Sequence, residues 1–158
     1  MSNNLINEAQ FLLRVSEENS IANLRTILSG ASPEHALPIL RRINQLCDGK
    51  NVEVLLSLAV RSFHQGQDDE AISFDRQARQ LKPDDHQVLR VALFLTAALG
   101  EIDDAKALSR RLLIMYPSDD WARAVDNRLN QEGTVSRLSL PPIQTEWAAI
   151  LNQNRSGT

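Results

Sequence analysis

The sequence predicts an all-α fold of stacked helix–turn–helix units, on three observations. The segments GQDDEAISFDRQARQLKPDD (Gly66 to Asp85) and GEIDDAKALSRRLLIMYPSD (Gly100 to Asp119) echo each other at one fixed offset, the step from Gly66 to Gly100. Apolar residues recur at helical spacing within both, as Ala71, Phe74, Ala78 and Leu81 and then as Ala105, Leu108, Leu112 and Met115; each set forms one stripe on a helix. No run alternates apolar and polar residues between turn signals, as a half-buried strand would.

In chain order, Leu5, Ala9 and Leu12/Leu13 predict a first helix, and Ile21, Leu24 and Ile27/Leu28 a second, ending near Ser29-Gly30. Ser32-Pro33 is a helix start, because serine caps free amides and proline fits the first turn. That helix is expected to reach about Leu46, with Pro38 shifting its start or bending it. Helices over Val52–Gln65 and Asp85–Leu99 each end at a glycine, Gly66 or Gly100, able to take the left-handed conformation that closes a helix. The helix after each is stopped by Pro83 or Pro117. Asp120–Gln131 carries Trp121, Val125 and Leu129 on one face and predicts another helix. Residues 132–141 read as a linker. Pro141-Pro142 then opens a short C-terminal helix over 142–153, with Ile143, Trp147 and Ile150/Leu151 together. Residues 154–158 are expected to fray.

The chain of 158 residues, 42 % apolar and 23 % charged, suits one domain with a real core. Aromatics are only 4 %, so Leu, Ile, Val and Ala must fill that core. A net charge of −3 with the signs interspersed argues against a broad basic face for nucleic acid. The apolar stretch Val88–Leu99 is interrupted by Arg90 and Thr96 and is too short to cross a bilayer. The N-terminal stretch lacks the basic head of a secretory signal. The single cysteine, Cys47, excludes an internal disulfide. Cytoplasmic residence is the default expectation.

Overlaying the two segments pairs Val54 with Val88, Leu55 with Leu89, Gly66 with Gly100, Asp69 with Asp103 and Ala71 with Ala105. It also pairs Arg76 with Arg110, Pro83 with Pro117 and Asp85 with Asp119. A helix–turn–helix unit of about 34 residues, with alanine soon after the turn glycine and a closing proline, resembles the tetratricopeptide repeat. The resemblance covers residues 52–119. The family's bulky aromatics are replaced by Ser62 and Thr96 in the first helices and by Asp75 and Ser109 in the second, with Phe63 and Phe74 one position away. The resemblance implies a right-handed α-solenoid forming a single helical-repeat domain over 1–153. Residues 1–51 would be an N-terminal cap or degenerate repeat, 52–85 repeat 1, 86–119 repeat 2, and 120–131 a capping helix. A closed helical bundle containing two similar hairpins is the alternative.

By the same resemblance, the first helices of successive units line a concave side that takes an extended peptide or a helix. Helical spacing places Glu53, Leu56, Ser57, Val60 and His64 on that face of one helix, and Gln87, Arg90, Val91, Phe94 and Ala98 on the next. This surface is mixed, with a hydrophobic middle suited to an apolar peptide or amphipathic helix. Arg90 and Gln87 alone do not make the basic clamp with which chaperone-binding relatives grip a C-terminal carboxylate. The competing reading makes Val60, Val91 and Phe94 core, because the helix VLRVALFLTAAL is apolar almost all round. The apolar groups of Thr134–Leu151 have three possible destinations: a cap near Trp121 and Val125, which is favoured, the groove in cis, or a neighbouring copy in a homo-oligomer.

No catalytic constellation emerges, and the chain is not expected to be an enzyme. His35, His64 and His86 lack ligand-type spacing, Cys47 reads as a small buried hydrophobe, and there is no phosphate loop. Asp68-Asp69-Glu70 and Asp103-Asp104 open helices, where they favour the helix dipole. No metal or cofactor is expected. Arg41-Arg42, Arg76/Arg79 and Arg110-Arg111 fall on second helices, read as solvated and paired with neighbouring acids. The function expected is an adaptor, scaffold or assembly factor, including a small chaperone, that binds a protein or peptide. A helper domain or subunit of an enzyme and a homo-oligomeric scaffold are the alternatives.

Overall fold

The computed structural model describes residues 2–132. Eight helices make up the described chain, and none of its residues is in a strand. They are α1 (Ser2–Glu17), α2 (Ile21–Gly30), α3 (Pro33–Leu46), α4 (Val52–His64), α5 (Asp68–Leu81), α6 (His86–Ala98), α7 (Ile102–Met115) and α8 (Asp120–Glu132). From α4 onward the boundaries keep the sequence period. α6 starts and ends one Gly66-to-Gly100 step after α4, and the same step carries α5 onto α7 and α6 onto α8. The helix expected as a cap over 120–131 therefore occupies the register of a first helix. The linker over 132–141, the helix over 142–153 and the tail over 154–158 fall wholly or almost wholly outside the described residues.

Local chemistry accounts for the ends. Asn51 accepts a hydrogen bond from the Val54 amide at the start of α4, and Asp85 accepts from the Gln87 and Val88 amides at the start of α6. At the far ends, Gly66 and Gly100 have φ of 76° and 82°. That left-handed turn lets the next amide reach back into the helix, Gln67 to the Ser62 carbonyl and Glu101 to the Thr96 carbonyl, at 2.8 and 2.9 Å. Ser32 precedes α3 as expected, but its hydroxyl meets His35 Nδ1 at 3.1 Å instead of capping an amide. Pro38 lies inside α3. Its missing donor falls opposite the carbonyl of exposed Glu34, where water can serve.

Packing follows chain order. α1 and α2 lie on α3, α3 on α4, α4 on both α5 and α6, α5 on α6, α6 on α7, and α7 on α8. α4 is the hinge between two apolar clusters. Val54 and Leu58 join Leu24, Ile39, Leu40 and Ile43 on one side. Leu55, Leu56, Ala59 and Phe63 join α5 to α8 on the other. The small residues Ala59, Ala71, Ala78 and Ala105 are fully buried, letting helix axes approach closely. α6 is apolar around its circumference and is buried from Val88 to Ala98 apart from Arg90.

Candidate functional site

The faces of α4 and α6 predicted to line a groove adjoin each other. Phe63 and Phe94 meet edge to face with ring centroids 5.3 Å apart, and His64 lies 6.1 Å from Phe94. The ten predicted residues divide into two layers. Leu56, Ser57, Val91, Phe94 and Ala98 are buried, at 0 to 7 % exposure. Val60, Gln87 and Arg90 are half-buried, and Glu53 and His64 are exposed. The buried set is a floor and the accessible set an upper layer. Desolvation, with the nearby Arg61 charge second, holds the His64 imidazole below its ordinary pKa. Both layers enclose polar atoms: Ser57 Oγ in the floor and Gln87 Oε1 in the upper layer are buried with no hydrogen-bond partner among the described residues.

One end of this face is closed by a cluster that the helical spacing did not indicate. Asp119, 9 % exposed, caps α8 by accepting from the Ala122 amide at 3.0 Å. Its other oxygen lies 2.6 Å from His86 Nε2 and 3.2 Å from Arg90 Nε. Burial acts against the Asp119 charge, but the Ala122 amide, the His86 hydrogen bond and the Arg90 guanidinium outweigh it. The carboxyl is held below its usual range. Above this centre, His86 stacks on Tyr116 at 4.1 Å and 12°, and the Arg90 guanidinium covers the Trp121 ring at 5.0 Å. The Tyr116 hydroxyl donates to the Asp84 carbonyl. The start of α6 is thus tied to the α7–α8 turn. The signal available in the sequence was the period itself: Asp119 falls one position short of a full period after His86, at the same level of the neighbouring unit.

On the far side of α6, a cavity of about 460 Å³ opens between α5 and α7. Asp75, Arg79, Thr96, Glu101, Asp104 and Arg111 contribute its polar wall. Asp75 is buried, and burial pushes its carboxyl above the ordinary range despite the Arg79 guanidinium 2.6 Å away. Thr96 spends its hydroxyl on the Ala92 carbonyl. The outer arginines find acceptors: Arg41 pairs with Glu70, Arg111 with Asp84, and Arg42 donates to the Glu18 carbonyl. Cys47 is half-buried at the end of α3, not enclosed as expected. Among the described residues no group of three metal-ligating side chains could hold an ion, and no helix is long and apolar enough to cross a membrane.

No protein-family model matches the chain, and no curated protein is recognisably similar to it.

Proposed function

We propose that this chain is a non-catalytic protein-interaction module, an adaptor, scaffold or assembly factor of the chaperone kind, built as a right-handed tetratricopeptide-like stack. Its partner is a peptide or amphipathic helix lying across α4 and α6. The regular return of helix boundaries at the Gly66-to-Gly100 step supports the stack, as does the packing of α4 on α6 as well as on its own hairpin partner α5. One observation carries the binding reading. Val60, His64, Gln87 and Arg90 remain accessible on two adjacent helices, beside the buried aromatic pair Phe63 and Phe94. Such a surface offers apolar contact in the middle and hydrogen bonding at its margins, the composition of a peptide groove.

The test compares three forms of the intact chain by affinity capture with quantitative mass spectrometry: wild type, Val60→Asp, and Arg111→Glu on the opposite face. A partner retained by wild type and by Arg111→Glu should be lost at least about tenfold by Val60→Asp, since a charge set into an apolar contact costs more than about 1.4 kcal/mol. Circular dichroism checks that Val60→Asp remains helical. Equal retention by all three forms would remove the groove as the binding surface.

A further inference from the structure

We propose that the cavity between α5 and α7 is a binding site for a small neutral molecule, an apolar ring bearing a primary carboxamide. This goes beyond the groove reading, because the cavity lies on the far side of α6 from the groove. Its volume of about 460 Å³ falls within the range of small-molecule sites. The wall is graded by depth. Asp75, Leu95 and Thr96 are buried and form the bottom. Ile72, Leu99 and Leu108 are half-buried, and Arg76, Glu101, Asp104 and Arg111 are exposed and form the rim.

Charge selects the class of ligand. Arg76, Arg79 and Arg111 share the lining with Asp75, Glu101 and Asp104. A cationic ligand is repelled by the first set and an anionic one by the second, and each must also shed its water. A neutral dipolar group meets neither penalty. The buried hydrogen-bonding atoms then select that group. Asp75, 4 % exposed, gives its Oδ2 to Arg79 Nη2 at 2.6 Å. Asp75 Oδ1 and Arg79 Nε are both buried with no hydrogen-bond partner among the described residues. Buried polar atoms are paired in nearly all folded proteins, so an orphaned acceptor and an orphaned donor in one wall point to a ligand that supplies both complements. The Thr96 hydroxyl donates to the Ala92 carbonyl at 2.8 Å, and its oxygen can still accept. The wall therefore offers two acceptors and one donor. A primary carboxamide carries two N–H donors and one carbonyl acceptor. An N–H on Oδ1 also offsets the burial that holds the Asp75 carboxyl above its ordinary range. Ile72, Leu95, Leu99 and Leu108 are left to cover the ring attached to that amide.

The experiment titrates the ¹⁵N-labelled full chain with benzamide. Parallel titrations use acetophenone, which keeps the ring and carbonyl but has no N–H, and the ions benzylammonium and benzoate. The expected result is a saturable benzamide shift centred on the amides of Ile72, Thr96 and Leu108, with the other three probes binding at least about tenfold more weakly. In Asp75→Leu the preference for benzamide over acetophenone should vanish. Ala107→Trp, at the exposed rim of the cavity, should abolish the shifts, and it serves if Asp75→Leu does not fold. Three results overturn the proposal. The first is no saturable shift, or a shift centred elsewhere or kept in Ala107→Trp. The second is acetophenone matching benzamide, which would make the cavity an apolar hollow whose Asp75 and Arg79 satisfy each other. The third is either ion binding more tightly than benzamide, which would make the ligand charged.

Discussion

Asp119 concentrates three tasks in one side chain. It caps α8, holds the charge opposite His86 and Arg90, and closes the end of the proposed groove. Replacing a capping aspartate with alanine costs about 1 kcal/mol, and losing the charge-assisted bond to His86 adds about 1 more, discounted because His86 is 38 % exposed. Asp119→Ala should therefore cost about 2 kcal/mol in urea unfolding at pH 7, and Asp119→Asn about half of that, since asparagine still caps. The sign with pH follows from the lowered carboxyl. A depressed folded-state pKa contributes stability that is fully present above the ordinary value of 3.8 and disappears as pH falls through the folded value. The gap between wild type and Asp119→Asn should thus shrink as pH falls through the acid range around and below the ordinary carboxyl value of 3.8. A gap that widened in acid would show that the charge opposes folding.

The helices end by a shared device carried out with different residues. α4 and α6 turn left-handed at Gly66 and Gly100, whereas α3 turns at Asp48, with φ of 54°. There the following Gly49 amide reaches the Asn44 carbonyl at 3.0 Å. A side chain in that conformation crowds its own carbonyl, and aspartate tolerates this better than most residues but not freely. Asp48→Gly should raise stability by about 0.5–1 kcal/mol and Gly66→Ala should lower it by about 1 kcal/mol, both read from thermal unfolding. Nothing lies within 4 Å of a Cβ placed on Gly66, so the loss there isolates the backbone effect. Element placement was largely legible before any coordinates, because Gly66, Pro83, Gly100 and Pro117 punctuate the chain at fixed offsets. The half-hidden state of the groove was legible only in part. VLRVALFLTAAL announced a helix with few exposed sides, and Val91, Phe94 and Ala98 are indeed buried. The His86–Asp119 contact was not legible, since it depends on how closely one unit sits on the next. Equally hidden was the cavity beside Thr96 and Asp75, although those are two positions where the repeat resemblance calls for bulky rings and the chain supplies none.

At the scale of the whole molecule, cohesion passes from neighbour to neighbour. α3 contacts α4, α4 contacts α6, and α7 contacts α8, while among the described residues α4 alone contributes to both apolar clusters through buried side chains. In the proposed stack no single core holds everything at once, and stability would be a sum of unit and interface contributions. A deletion far from α4 should therefore be felt locally. Leu112 is fully buried in the cluster joining α7 to α6 and α8, and Leu112→Ala removes contacts worth about 2–5 kcal/mol. Hydrogen exchange on the intact variant should show α7 and α8 losing protection first and most, while amides of α2 and α3, around Leu24, Ile39 and Ile43, keep wild-type rates. The reciprocal change, Ile39→Ala, should loosen α2 and α3 and spare α7 and α8. In a closed bundle every helix shares the same core, so either variant would lower protection throughout by a similar amount. Uniform loss in both would mean that the open stack, and with it a face exposed along α4 and α6 for another polypeptide, does not describe how this chain holds together.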